Sequence, residues 1–558
     1  MSDQRTDTGA KASTDRLAPA RRDYLAVFAV ALLVRVAYAA WPGTWFKVGP
    51  YDEGVYYMAA RLLAQDVMPY RDFTFVHPPG MLELAAPLAG LGAVTSDHVA
   101  LVVGRLLAMA VSAGCAAAMV YLCRDLGRVP ALIAGATYAL WLPQITTDQS
   151  MLLEGPMSLA LIAAMMALFR LFKRPTLLTA AVLGFALAWA VGIKLWALGP
   201  AVAIAAFGVL RLRWRSWALV SGGLVGLALS TALIWPAGPG AAISQFVGSQ
   251  TGRAARAWMP RAWLEALIGP LAYPLFMAAA LGVLVWLLVV AARRPATNWE
   301  PLVWIATAAV LVLQLISAQN IYPHYLTALT PAAGFGLAYW VRRLTTAAQV
   351  ADAAPAASRQ TASTATEAAV APTAVQATQA VATTADQTNN ADQDASSVRQ
   401  GFKARWWDLF PRQAKLVLAG LVLVVLVGAG ITGVMGPASP AWQSLAKVKA
   451  AVGTNPGCVW AEEPGWLIAA GALPEDWLAC RSPVDRIGML LQREADGDLP
   501  EAEPPRSAGA MLEGPLDQAE TALVFKGGLY DRHLQEQPPG SGPSRWVGHV
   551  GPIEIRQR

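Results

Sequence analysis

The chain has 558 residues, 55% of them hydrophobic and only 14% charged, with a mean hydropathy of +0.42 and a formal net charge of +6. An ordinary soluble domain carries about 25% charged residues, so the composition excludes a wholly soluble protein and places the chain in the membrane class. Arg and Lys gather at the ends of apolar segments, which makes the basic excess a topology signal and argues against nucleic acid as a partner.

Residues 1–23 are polar and lack the apolar core and small-residue cleavage site of a secretory signal, so the first helix is expected to stay as an anchor. Arg21 and Arg22 hold that tail in the cytoplasm. Crossing a hydrocarbon core of about 30 Å takes about 20 residues. On that scale a first span covers 24–41 and runs outward, followed by an external loop, 42–97. Within the loop, "GMLELAAPLAGLGA" is too short and too rich in glycine for a span and is expected to lie along the interface. Further spans are expected at 99–123, 130–143, 156–171, 177–193, 195–210 and 217–235, with "RDLGR", "RLFKR" and "RLRWR" marking inner ends. An external loop over 236–265 leads to an eighth span ending at "ARRP", a ninth over 301–317 and a tenth ending at "VRR".

From residue 345 the composition turns to Ala, Thr, Gln, Ser and Asp. Such a stretch cannot bury enough apolar surface to offset its ordering entropy. The predicted division is a transmembrane domain over 24–344, a disordered cytoplasmic linker over 345–412, a last transmembrane helix over 413–435 and an extracytoplasmic soluble domain over 436–558. The tail, with clusters such as "CVWAEE" and "TALVFKGG" between Pro/Gly turns, is long enough for one small α/β domain. Cys115 and Cys123 read as small hydrophobes. Cys458 and Cys480 are either two buried thiols or, in an oxidising exterior, a disulfide worth on the order of 3 kcal/mol.

The external loop carries the chemistry. "YDEGVYYMAARLLAQDVMPYRDFTFVHPPG" opens on Asp52 and Glu53 and continues through Tyr56, Arg71 and His77. Val55, Met58, Ala59, Leu62 and Leu63 recur at helical spacing while Glu53, Tyr57, Arg61 and Gln65 fill another face, predicting a short amphipathic helix on the outer membrane surface. Carboxylates at a helix start are favoured by the dipole and need no function. The walk also puts Asp52, Glu53, His77, Asp148, Glu154, Lys194 and His324 on the outer side, positioned to meet in one external cavity. Polar groups held at a membrane face are costly unless used or paired, which makes them functional candidates.

The run from Asp52 to Gly80 resembles the first external loop of the GT-C membrane glycosyltransferases, in particular glycosyltransferase family 39 with its protein O-mannosyltransferases and aminoarabinose transferases. In that family an acidic pair follows the first helix, then a surface helix, a "PY.D" turn and "HPP" or "KPP" before a membrane-hugging helix. "DQSMLLEGP", "GIKLW" and "YPHYLTALTP" extend the resemblance over about residues 24–343. It implies an all-α polytopic GT-C domain, of about 11 transmembrane helices on the span count above, followed by the soluble α/β tail. It also implies transfer of a sugar from a polyprenyl-phosphate donor to a protein, lipid or glycan acceptor, with inversion, at the outer face of a bacterial plasma membrane.

By the same resemblance Asp52 matches the catalytic base and Glu53 shapes or hydrogen-bonds the acceptor. Lys194, His77, Arg253 and Arg256 are candidates to meet the donor phosphate, and Tyr56, Arg71, Asp148, Glu154, His324 and Tyr325 to line the substrate pocket. Each also has a plainer reading: Lys194 as a snorkelling helix end, His77 as a turn residue before Pro78, His324 and Tyr325 as interface anchors, Asp148 and Glu154 as hydrated loop residues. "HPP" stands where aminoarabinose transferases tend to carry lysine, which shifts phosphate binding toward Lys194 and the loop arginines. Acidic residues such as Asp52 and Glu154 are candidates for a divalent ion, but no ligand spacing demands one. A transporter would call for inverted repeats and midplane charges, of which Arg35 and Arg105 are the obvious ones; a polysaccharide polymerase or ligase handling lipid-linked sugars is the other alternative.

Overall fold

A computed structural model of the chain describes residues 18–40, 48–251, 299–317 and 323–343, and in the tail 448–450, 452–453, 458–461, 464–471, 473, 484, 521–525, 545–550 and 553–557. Its helices are α1 (Arg21–Ala40), α2 (Tyr51–Leu63), α3 (Gly80–Val94), α4 (Asp97–Leu122), α5 (Arg128–Leu140), α6 (Leu142–Thr147) and α7 (Glu154–Lys173). They continue with α8 (Leu177–Ile193), α9 (Leu198–Leu212), α10 (Trp217–Ser230), α11 (Pro239–Thr251), α12 (Trp299–Ser317), α13 (330–343) and, in the tail, α14 (Pro464–Ala470).

Among the described residues, Arg21–Ala40, Asp97–Leu122, Glu154–Lys173 and Leu195–Ser230 are long and apolar enough to cross a membrane; α3, α8 and α12 are apolar but shorter. The Leu195–Ser230 stretch breaks at Arg213, whose φ of 55° lies in the left-handed region that ends helices, between α9 and α10. The expected eighth and last spans, with the linker, lie outside the described residues.

The expected span over 130–143 is two helices. α5 ends at Leu140, Trp141 is extended, and α6 restarts at Leu142. Pro143 is the reason: it lacks an N–H and is tolerated in a helix only in the first turn, where α6 places it. The interfacial segment forms α3, with Pro87 inside it.

Buried charges tie the bundle together. Asp23 at the start of α1 accepts from the Ala20 N–H at 2.8 Å and from Arg128 Nε and Nη2, at the start of α5, at 2.8 and 2.9 Å. Arg35, fully buried in α1, donates from Nε to Asp148 Oδ2 at 2.8 Å and from Nη1 to the Ala139 carbonyl at 3.0 Å. The midplane charges read from the sequence are therefore ion-pair partners within the bundle. α8 and α10 pack backbone to backbone, because a Cβ at Gly184 would stand 1.9 Å from the Leu219 carbonyl oxygen and one at Gly222 2.0 Å from that of Ala181. Close approach at small residues is what holds helices together where lipid gives no hydrophobic drive.

In the tail, β1 (Val459–Ala461), β2 (Thr521–Phe525), β3 (Arg545–Val550) and β4 (Ile553–Gln557) form a sheet of order β1-β2-β4-β3, parallel between β1 and β2 and antiparallel elsewhere. Cys458 is disulfide-bonded, while Cys115 and Cys123 are free and buried; the remaining cysteine, Cys480, lies outside the described residues. Leu467, Val459, Leu523 and Ile553 belong to the same buried apolar cluster as the membrane helices.

Candidate active site

α2 forms where the first loop predicts a helix, but it does not lie with one face in water. Glu53 and Tyr57, placed by periodicity on the polar face, are 1% and 0% exposed. Partners replace the lost water. Glu53 Oε1 accepts from Arg105 Nε at 3.0 Å and from the Met151 N–H at 2.9 Å, and Glu53 Oε2 accepts from Arg105 Nη2 at 2.5 Å. The Tyr57 hydroxyl donates to Asp97 Oδ1 at 2.7 Å, and burial together with that carboxylate pushes its pKa far up. α2 is thereby fixed against α4 and the loop before α7.

Asp52, half-buried in the first turn of α2, faces a polar cluster drawn from other elements. Lys194, in the break between α8 and the 3-10 turn Leu195–Ala197, ion-pairs with Glu154 at the start of α7. The Lys194 ammonium also lies 4.5 Å from the centre of the Tyr325 ring. His324 Nε2 stands 3.7 Å from Glu154 Oε1; both His324 and Tyr325 belong to the 3-10 turn Pro323–Leu329. The Asp52 charge acts on Lys194 and His324 alike. Burial is the largest influence on Lys194 and opposes its charge, but Glu154, Tyr325 and Asp52 together hold the ammonium above the usual lysine range. Burial pushes His324 below the usual imidazole range.

His77 is half-buried, its ring edge-on to Tyr56 at 5.0 Å and against Phe75 at 5.6 Å, and its carbonyl accepts from the Tyr70 hydroxyl at 2.5 Å. Two candidates stand apart from the cluster. Arg71 turns to solvent and pairs with its neighbour Asp72 at 2.9 and 2.7 Å. Asp148 is buried with Arg35 and Gln144, 2.8 Å from each, and accepts from Ser112. Arg253 and Arg256 lie outside the described residues. Among the described residues no group of three or more His, Cys, Asp or Glu side chains converges to hold a metal.

Beside the polar cluster lies an apolar cavity of about 470 Å³ between α3, α4, α7 and α8, lined by residues such as Met81, Leu88, Val111, Phe185 and Trp189. Its wall includes Leu152 and Pro156, which bracket Glu154, and Ile193, which precedes Lys194. The sequence neighbours of Glu154 and Lys194 thus form part of the cavity wall.

Sequence reasoning missed Trp196, whose ring lies 4.5 Å from that of Tyr325 and whose carbonyl accepts from Gln314 Nε2 at 3.2 Å. It also missed Arg105 as the partner of Glu53. The signal for the second was present, since a lone arginine inside an apolar span needs an acid.

The chain shares its fold with solved structures of ArnT. A crystal structure of ArnT from Cupriavidus metallidurans bound to undecaprenyl phosphate matches with a TM-score of 0.54 at 15% identity, over 96% of this chain and 98% of that one. The apo state of the same protein matches with a TM-score of 0.52 at 15% identity, over 94% and 97%. At this identity the likeness is one of fold. No protein-family model and no curated protein matches the chain.

Proposed function

We propose that the protein is a multi-pass membrane glycosyltransferase that moves a sugar from a polyprenyl-phosphate donor to an extracytoplasmic acceptor, with inversion. One observation carries the reading: Asp52, Glu154, Lys194 and the turn bearing His324 and Tyr325 come together from four parts of the chain, and the sequence neighbours of Glu154 and Lys194 line an apolar cavity. A charged cluster next to an apolar cavity suits an amphiphile with a charged head and a greasy chain. The fold shared with an ArnT that binds undecaprenyl phosphate supports the same donor class.

In this reading the isoprene chain occupies the cavity and the phosphate meets Lys194. An ammonium has three donors; one serves Glu154, and the others can turn to phosphate oxygens. His324 and Tyr325 border the same space. As the acceptor hydroxyl attacks the anomeric carbon, Asp52 takes its proton, the bond from carbon to the phosphate oxygen breaks, and the electron pair leaves on the phosphate. Lys194 stabilises that charge, and a single displacement inverts the anomeric centre. Glu53 holds Asp52 in place through Arg105 and the Met151 N–H.

Purified protein offered a panel of polyprenyl-phosphate sugars and cell-envelope acceptors tests this. The expected result is release of polyprenyl phosphate coupled to a product of opposite anomeric configuration. Release of phosphate with retained configuration contradicts the single displacement, and no transfer from any member contradicts the donor class.

A further inference from the structure

The tail meets the catalytic helix at a contact that only glycine allows. A Cβ at Gly54, two residues after Asp52, would stand 2.6 Å from the Gly465 backbone nitrogen and 2.9 Å from its Cα. A Cβ at Gly465 would in turn stand 3.0 Å from Val48 Cγ1, in the strand of chain leading into α2. At Gly54 backbone therefore lies on backbone with nothing flexible to give way, while at Gly465 the Val48 side chain would have to shift. Gly465 belongs to α14, whose Leu467 and Ile468 are 0% exposed, and Trp466 packs against the common core. On its other side α2 is held by the Glu53–Arg105 pair and the Met151 N–H.

We infer that α14 of the C-terminal domain is a positioning element for Asp52, with Gly465 its contact residue, so that the tail is part of the catalytic apparatus. α2 is clamped between α14 and α4. Its first turn, which carries Asp52, has no side-chain cap of its own. The helix end that must present a base to within hydrogen-bond reach of an acceptor is thus located from outside by the tail. The inference rests on the transferase reading, and displacement of a reacting group by about 1 Å is enough to cost about 100-fold in rate.

The test has two arms in the full-length protein. In the first, Gly465→Ala and Gly54→Ala are expected to lower kcat about 10- to 100-fold while donor affinity and its KM stay within about twofold, because Lys194 and the cavity lie on other elements. Gly90→Ala in α3, where a Cβ meets nothing within 4 Å, serves as the control and is expected to be unchanged. In the second arm, Val48→Ala, which removes the methyl that a Cβ at Gly465 would meet, is expected to return the kcat and the unfolding midpoint of Gly465→Ala toward wild type. Wild-type kcat in Gly54→Ala, or a Val48→Ala, Gly465→Ala protein no faster than Gly465→Ala alone, would overturn the inference. A wild-type protein that transfers no sugar sinks the transferase reading and the positioning role with it, while the unfolding midpoints still decide the docking.

Discussion

Glu53 and Arg105 are 2% and 3% exposed at their side chains, so neither charge tolerates loss of the other. Breaking a buried pair from one side costs about 3–5 kcal/mol, mostly for stranding the remaining charge. Glu53→Gln is therefore expected to lower the thermal unfolding midpoint of the detergent-purified protein markedly. Arg105→Met combined with Glu53→Met should recover most of the loss, and a single variant as stable as wild type would refute the pairing. At His324 the pKa is lowered by burial, helped by Lys194 and outweighing the carboxylates of Glu154 and Asp52. The folded protein thus binds fewer protons there than the unfolded chain, so stability falls as pH drops from about 6.5 toward the lower folded value and is unaffected above it. His324→Gln is expected to flatten that part of the stability curve; an unchanged slope would show that the imidazole binds its proton alike in the folded and unfolded chain.

α8 and α10 depend on two glycines whose Cβ positions are occupied by carbonyl oxygens. Gly184→Leu is expected to cost expression in the membrane or to shift the unfolding midpoint, whereas Gly90→Leu, with open space around it, is not; equal behaviour of the two would argue against the packing. At this scale the sequence was legible where period and punctuation agree. The apolar runs within the described residues became helices, "DEGVYYMAARLL" became α2, and the break at "RLRWR" separated α9 from α10. It misled where tertiary partners override pattern. Glu53 and Tyr57 look solvated by periodicity, yet Arg105 and Asp97 receive them inside the protein. Asp148 looks like a loop acid, yet Arg35, a hundred residues earlier in the chain, claims it. No local pattern encodes which distant arginine meets which acid.

For the whole molecule the proposed external site implies an orientation that can be measured. Asp52, Lys194 and His324 cluster at one end of the bundle, while Lys173 pairs with Asp125 and Arg342 Nη1 donates to the Asp125 carbonyl at 3.1 Å at the basic end. Cysteines introduced at Asp66 and Gly540 are expected to react with a membrane-impermeant thiol reagent in intact cells, and one at Thr373 to stay unlabelled. Labelling at Thr373 would overturn the topology. Of the residues the topology walk set on the outer side, Glu154 meets Lys194 and His324, whereas Asp148 pairs with Arg35 and Glu53 with Arg105; the apolar cavity was not legible, because its wall is built from residues that each read only as apolar span.

The central claim is that Asp52 is a base and Lys194 a phosphate contact, and the most direct measurement sets turnover against donor binding in two purified variants. Asp52→Asn keeps the size and helix-start geometry but loses the basic oxygen, and a positioned general base is worth about 10²–10⁴-fold in rate. Transfer is expected to fall by that factor while polyprenyl-phosphate binding is kept or strengthened, since a negative charge near the anion is gone. Lys194→Ala is expected to weaken donor binding together with turnover. Near-normal transfer by a folded, membrane-inserted Asp52→Asn protein would contradict the assignment and return the acid to the role of an ordinary helix start.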